Sequence, residues 1–139
     1  MLRFDDHILR PIEINNGIGQ GDPLSMALYQ FYNADLVKIP NEDEGKTAEA
    51  YVDDAILSVS AGTFEEAHEK LIDIMTRENG AINWAKKHNS PFKYTKLALI
   101  NFIHSSNKAN RPPLVLPNIT IWPTTSTKYL GIILNQNLS

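Results

Sequence analysis

The chain of 139 residues contains no cysteine. That excludes a disulfide framework, a thiolate metal site and a cysteine nucleophile. No apolar run approaches the roughly 20 residues that a membrane-spanning helix needs. The first ten residues carry Asp5 and Asp6 where a secretory leader would be apolar. There is no internal repeat and no low-complexity segment. Four histidines, His7, His68, His88 and His104, lack the spacing of a zinc site. His68 is expected on a helix surface and His88 at a helix end. No serine sits in a Gly-x-Ser-x-Gly context, which excludes a nucleophile elbow.

Enough remains to build a core. Hydrophobic residues make up 42% of the chain and charged residues 21%, which is the composition of a folded domain. The net charge of −3 hides a division. Residues 1–70 hold 5 Lys/Arg and 14 Asp/Glu, a net −9, whereas residues 71–139 hold 8 and 2, a net +6. One half suits cations and the other polyanions.

Local signals set the order of elements. Ile12 and Ile14 alternate with polar residues before a turn at Asn15-Asn16-Gly17. Asp22 is a helix N-cap with Pro23 at the first helical position. Leu24, Ala27, Leu28, Phe31 and Leu36 are spaced to form the buried stripe of a helix running to about Val37. The short apolar runs Ala48 to Val52 and Ala55 to Ser60 flank Asp53-Asp54, a β-hairpin pattern. Thr63 and Glu66 form a capping box. From there Phe64, Ala67, Leu71, Ile74, Met75, Ile82 and Ala85 keep helical spacing, with Glu78 and Gly80 as weak points, until His88 to Pro91 ends the helix. Leu97 to Ile103 reads as a buried strand and Ser105 to Pro113 as a polar loop. Leu114–Leu116, Ile119–Trp122 and Tyr129–Leu134 are three further strands. This order predicts an α+β fold with a largely antiparallel sheet.

Two places carry candidate chemistry. Asp53 and Asp54 are adjacent carboxylates at a hairpin tip and repel unless neutralised. They are either a solvated turn or hard oxygen ligands of the kind Mg²⁺ takes. Gly17, Gly19 and Gly21 do not make a dinucleotide fingerprint, because the third glycine comes one residue early and no parallel βαβ unit follows. They are either a tight strand-to-helix turn or a backbone that a nucleotide or strand approaches, with Gln20 as a polar finger. Lys86, Lys87, Lys93, Lys96, Lys108 and Lys128 are solvating residues or the lining of a groove that follows a phosphate backbone.

These pieces, in this order, resemble the reverse transcriptase domain of non-LTR (LINE-type) retrotransposons, particularly fungal ones. Asn16-Gly17-Ile18-Gly19-Gln20-Gly21-Asp22-Pro23-Leu24-Ser25 resembles motif B, and Tyr32 to Leu36 resembles the helix that follows it. Tyr51-Val52-Asp53-Asp54 resembles motif C. Phe92, Lys96 and Phe102 match the spacing of motif D, and Lys128-Tyr129-Leu130-Gly131-Ile132 resembles the primer-grip hairpin of motif E. Position 19 is Gly where many relatives have Pro. The likeness spans residues 16–134.

The resemblance implies an antiparallel palm-type sheet backed by two helices, plus a C-terminal β-hairpin region. Residues 1–139 would form a partial domain, with motifs B to D in 1–110 and motif E and the start of a thumb in 111–139. It implies RNA-templated addition of deoxynucleotides to a DNA primer, with two Mg²⁺ ions about 3.5–4 Å apart, or Mn²⁺ in their place. Asp53 and Asp54 would hold metal, and Lys96 would offset triphosphate charge or protonate the leaving group. Gly19, Gln20, Gly21, Ser25 and Tyr51 would face template and nucleotide. Lys128, Tyr129, Leu130 and Gly131 would grip the primer. The partners implied are RNA template, DNA primer, deoxynucleoside triphosphates and the rest of a polyprotein, with no membrane, and the family's mode of action implies a nucleus. Motif A, which in the family supplies a further carboxylate from a separate strand well upstream of motif B, has no counterpart. Only 16 residues precede Gly17, their acids are Asp5, Asp6 and Glu13, and in the family a stretch like Leu2 to Asp6 lies just before motif B and is not motif A. The expectation is therefore a slice of a longer polyprotein that does not polymerise alone. Its rivals are a non-catalytic nucleic-acid-binding remnant and a degenerate reading frame that never folds stably.

Overall fold

Asp22 opens the first helix as its sequence predicts. Its carboxylate accepts from the Leu24 N–H at 2.9 Å, and Pro23 follows at the first turn, where no N–H is needed. In the computed structural model, which describes residues 3–4, 7–8, 19, 21–40, 44–102 and 111–137, this helix is α1, Pro23–Val37. It is preceded by the short antiparallel pair β1 (Arg3–Phe4) and β2 (His7–Ile8). After it come the hairpin β3 (Lys46–Tyr51) and β4 (Asp54–Val59), then α2 (Phe64–Thr76) and α3 (Ala81–Lys87). A single 3₁₀ turn, Tyr94–Lys96, leads to two more hairpins: β5 (Leu114–Leu116) with β6 (Ile119–Ile121), and β7 (Ser126–Tyr129) with β8 (Ile132–Asn135).

The fold is mixed α and β, and every ladder is antiparallel. The sheet expected as one body is four separate two-stranded ladders among the described residues. The signals at Ile12, Ile14, Asn15 to Ile18, Gln20, His104 and Lys108 lie outside the described residues.

The core joins α1, α2, α3 and the β5–β6 hairpin. Leu36, Met75, Trp84, Leu114, Leu116 and Ile121 are buried together, and Leu57 and Phe92 pack against them. Ile74 is fully buried. Tyr32 joins α1 to α3. Its ring meets Trp84 and His88 edge-on, at centroid distances of 5.8 and 5.4 Å, and its hydroxyl donates to the His88 carbonyl. His88 stacks on Trp84 at 4.5 Å.

Several local expectations change. Of the stripe expected on α1, only Leu36 is buried; Leu24, Ala27, Leu28 and Phe31 are exposed. The helix buries Asn33 and Leu36, three residues apart on one side, and also meets α3 through Tyr32. The long helix from Phe64 divides at Arg77–Gly80. Gly80 lies so close to the preceding turn that a Cβ there would meet the Ile74 and Arg77 carbonyls at 2.7 and 2.8 Å. Thr63 caps α2 by accepting from the Glu66 N–H at 3.1 Å, while the Glu66 carboxylate reaches one residue further back, to the Gly62 N–H. That bond, with Lys70, holds the Glu66 carboxyl below its ordinary pKa. Leu97 to Phe102 makes no ladder. Leu99 is buried and bridges only to Pro123, its carbonyl accepting from the Thr124 N–H at 2.8 Å. The run Tyr129–Leu134 is the bend of a hairpin rather than one strand, because Leu130 and Gly131 both take positive φ, 48° and 86°. His68 is buried, not on the surface, and its Nε2 lies 3.2 Å from the Asn101 side-chain oxygen.

Candidate functional site

The β3–β4 hairpin has two unlike faces. Pleating places Lys46, Ala48, Ala50, Leu57 and Val59 on one side, buried or half-buried apart from the ladder's end near Ala55. The Lys46 ammonium reaches Asp73 of α2 at 3.0 Å on that side, so the helices lie beneath it. The other face carries Thr47, Glu49, Tyr51, Asp54 and Ser58, all exposed, together with the half-buried Ile56 opposite Glu49. The acidic pair therefore stands at the end of a ladder braced on one side and open on the other.

The turn itself is shifted by one residue from expectation. Tyr51 pairs with Asp54, so Val52 and Asp53 are the two turn residues and Asp54 begins β4. Val52 has φ of 53°. In a two-residue hairpin turn that first position favours glycine, and a β-branched residue there costs about 1–3 kcal/mol. The strain is held from below: the Asn33 side-chain amide of α1, itself buried, donates to the Val52 carbonyl. Asn33 is a residue the sequence reading did not single out. Its signals are its place within Tyr32 to Leu36, the stretch that resembles the family's helix after motif B, and a polar side chain three residues before the apolar Leu36.

Glu49 is a second such residue. It lies two before Tyr51 and shares the open face with Asp54. Tyr129 of β7 comes near both. Burial raises its phenol pKa above the ordinary value, and the negative charges of Glu49 and Asp54 raise it further. Tyr129 and Asp54, expected in one site, are thus brought together. Lys128 and the Leu130-Gly131 turn beside Tyr129 are exposed. Lys96 is exposed in its 3₁₀ turn, and no hydrogen bond or ion pair among the described residues ties it to Asp53 or Asp54.

The glycine turn is built onto α1. The Gly19 carbonyl accepts from the Asp22 N–H at 3.3 Å and from the Ser25 hydroxyl at 2.7 Å. Gly21 has φ of +88°, which a side chain would strain. Ser25 thus closes the turn, while Gln20 lies outside the described residues.

An open groove of about 770 Å³ runs beside β4. Ile56 to Ser60 line it consecutively, so it follows the edge of β4 that has no ladder partner among the described residues. Ala98 to Phe102 line its far wall, and Thr127 and Leu134 also reach it.

For a divalent cation the donor chemistry is partly right. Asp53 and Asp54 are exposed hard-oxygen donors, and no cation pairs with either among the described residues. A set of three or more His, Asp or Glu ligands does not occur among the described residues.

Compared with known proteins, the chain matches no family model, no curated protein and no solved structure. No helix among the described residues is long and apolar enough to cross a membrane.

Proposed function

We propose that the chain is part of the palm of an RNA-directed DNA polymerase of the non-LTR retrotransposon kind, and that its polymerase site is incomplete. The observation that carries this reading is the β3–β4 hairpin. It presents Tyr51-Val52-Asp53-Asp54 at its tip, helices beneath and an open face above. An ordinary solvated turn needs no β-branched residue in the left-handed region and no buried amide holding it there.

Asp53 and Asp54 would hold Mg²⁺, with Mn²⁺ as a substitute. When bound, the metal supplies Lewis-acid activation of a primer hydroxyl and neutralises the departing pyrophosphate. Gly19, Gln20, Gly21, Ser25 and Tyr51 would border template and nucleotide, Lys96 would offset triphosphate charge, and Lys128 to Gly131 would hold the primer. The missing carboxylate has a place to enter. The groove between β4 and Ala98 to Phe102, with the start of α2 also lining it, runs along an edge of β4 that has no ladder partner among the described residues, and a sheet accepts a further strand at such an edge. A carboxylate-bearing strand from outside the described residues would join the two walls and complete a βαββαβ sheet.

Two measurements test this reading. Titrating Mn²⁺ into the whole chain should broaden the amide resonances of Val52 to Asp54 first, and Asp53→Asn should abolish that. Broadening spread equally over Glu65, Glu66 and Glu69 would end the proposal. Primer extension on an RNA template should give no sustained incorporation. Incorporation lost on Asp53→Asn would show a site already complete.

A second reading rests on charge. Lys86, Lys87, Lys93, Lys96 and Lys128 are all exposed, and none is in an ion pair among the described residues. That suits a nucleic-acid-binding remnant without catalysis. It expects affinity for RNA–DNA duplex that falls steeply with salt, and no specific Mn²⁺ effect at Asp53.

A further inference from the structure

We infer that Asn33 is a positioning residue for Asp53, acting through the Val52 peptide group. The inference deepens the polymerase reading and rests on it for its purpose, though its geometry is independent of it. Asn33 is buried in the last third of α1, and its amide donates to the Val52 carbonyl. The Val52 carbonyl and the Asp53 N–H belong to one planar peptide unit. Anchoring the oxygen on the helix side therefore sets the plane, directs the Asp53 N–H away from the helix and fixes the start of the Asp53 residue. The Tyr51–Asp54 pair closes a turn that requires the left-handed φ of Val52, which β-branched residues disfavour, and the Asn33 bond holds that turn from the helix side.

The same helix carries the glycine turn at its other end. Ser25, which closes that turn, and Asn33 are eight residues apart, about 12 Å along a helix axis. One rigid element thus links the turn expected to meet template and nucleotide to the turn expected to meet metal. Tyr32, next to Asn33, moors that end of α1 on α3 through Trp84 and His88. Loss of the Asn33 amide therefore removes a bond to the turn without freeing the helix.

The experiment compares the whole chain with Asn33→Asp and Asn33→Gln. Asp has the same shape but, ionised, cannot donate to a carbonyl; Gln keeps a donor on a longer arm. In Asn33→Asp the amide resonances of Val52 and Asp53 should shift and hydrogen exchange at Asp53 should rise at least tenfold. Resonances of α2 and β5–β6 should stay in place. Mn²⁺ affinity at the turn should weaken at least fivefold, with partial recovery in Asn33→Gln. Unchanged turn resonances in both variants would overturn the inference, as would wild-type Mn²⁺ affinity in both. If Asn33→Asp does not fold, the Asn33→Gln turn resonances and affinity decide by the same criteria. If the wild-type chain shows no Asp53-dependent Mn²⁺ effect but its turn responds to Asn33, the polymerase reading fails and the positioning role stands.

Discussion

Lys46 at the start of β3 lies buried with its ammonium 3.0 Å from the Asp73 carboxylate of α2. Glu44 closes the same ammonium from the loop, and Arg77 shares Asp73 at 3.4 Å while donating to the Ile39 carbonyl. This cluster fastens the acidic hairpin to the helices beneath it. The hydrogen bond from Lys46 and then its charge hold the Glu44 pKa below its ordinary value, and the Lys46 pKa is raised by Glu44 and then Asp73. The depressed carboxyl stabilises the fold above its ordinary pKa, and that contribution is lost as pH falls through the lowered value. The raised ammonium stabilises below its ordinary pKa, and that is lost as pH rises through the raised value. Thermal midpoints across pH should therefore fall at both ends. In Lys46→Met both slopes should flatten, and equal slopes in the two proteins would count against the cluster.

Ile74 is fully buried and Phe31 is 80% exposed, although both are large apolar residues within helices. Ile74→Ala should cost about 2–5 kcal/mol in denaturant unfolding. Phe31→Ser should change stability by no more than about 0.5 kcal/mol and should reduce self-association in sedimentation. A large loss on Phe31→Ser would mean that the face of α1 is covered.

Gly80 and Gly62 separate backbone clash from open space. A Cβ at Gly80 would meet two carbonyl oxygens, whereas at Gly62 it meets only the end of the Glu66 side chain at 3.6 Å. Gly80→Ala should destabilise by about 1–3 kcal/mol, as overpacking does. Gly62→Ala should be tolerated. Equal thermal midpoints for the two variants would refute the tight break between α2 and α3.

Tyr129 reports on the juxtaposition of β7 with the acidic hairpin. Its phenol should ionise above its ordinary pKa, seen as phenolate absorbance. The neutral form is favoured in the fold, so this contribution to stability holds below the ordinary value and is lost as pH rises through the raised one. Asp54→Asn should lower the Tyr129 pKa only in part, because burial is the larger cause. No change at all would separate the two hairpins.

Much of the local structure was legible in the chain. Asp22-Pro23, Thr63 with Glu66, the hairpin around the Asp pair and the short strands of residues 114–121 all form where side-chain chemistry acts within a few residues. Periodicity misled on α1, because spacing says which residues share a face and not whether anything covers that face. Gly80 was visible as a weak point, yet only the approach of two carbonyls makes it a break.

The sequence by itself determined the helix caps, the existence of the hairpins, their antiparallel character and the adjacency of Asp53 and Asp54. These depend mainly on contacts within a few residues of the chain. Tertiary structure decided that the turn falls on Val52-Asp53, that Asn33 lies 19 residues away yet holds the Val52 carbonyl, and that Tyr129 comes near Glu49 and Asp54. It also buried Lys46 beside Asp73 and left the face of α1 bare. Such pairings depend on which surfaces meet, and no spacing along the chain encodes the distance between residues that packing brings together.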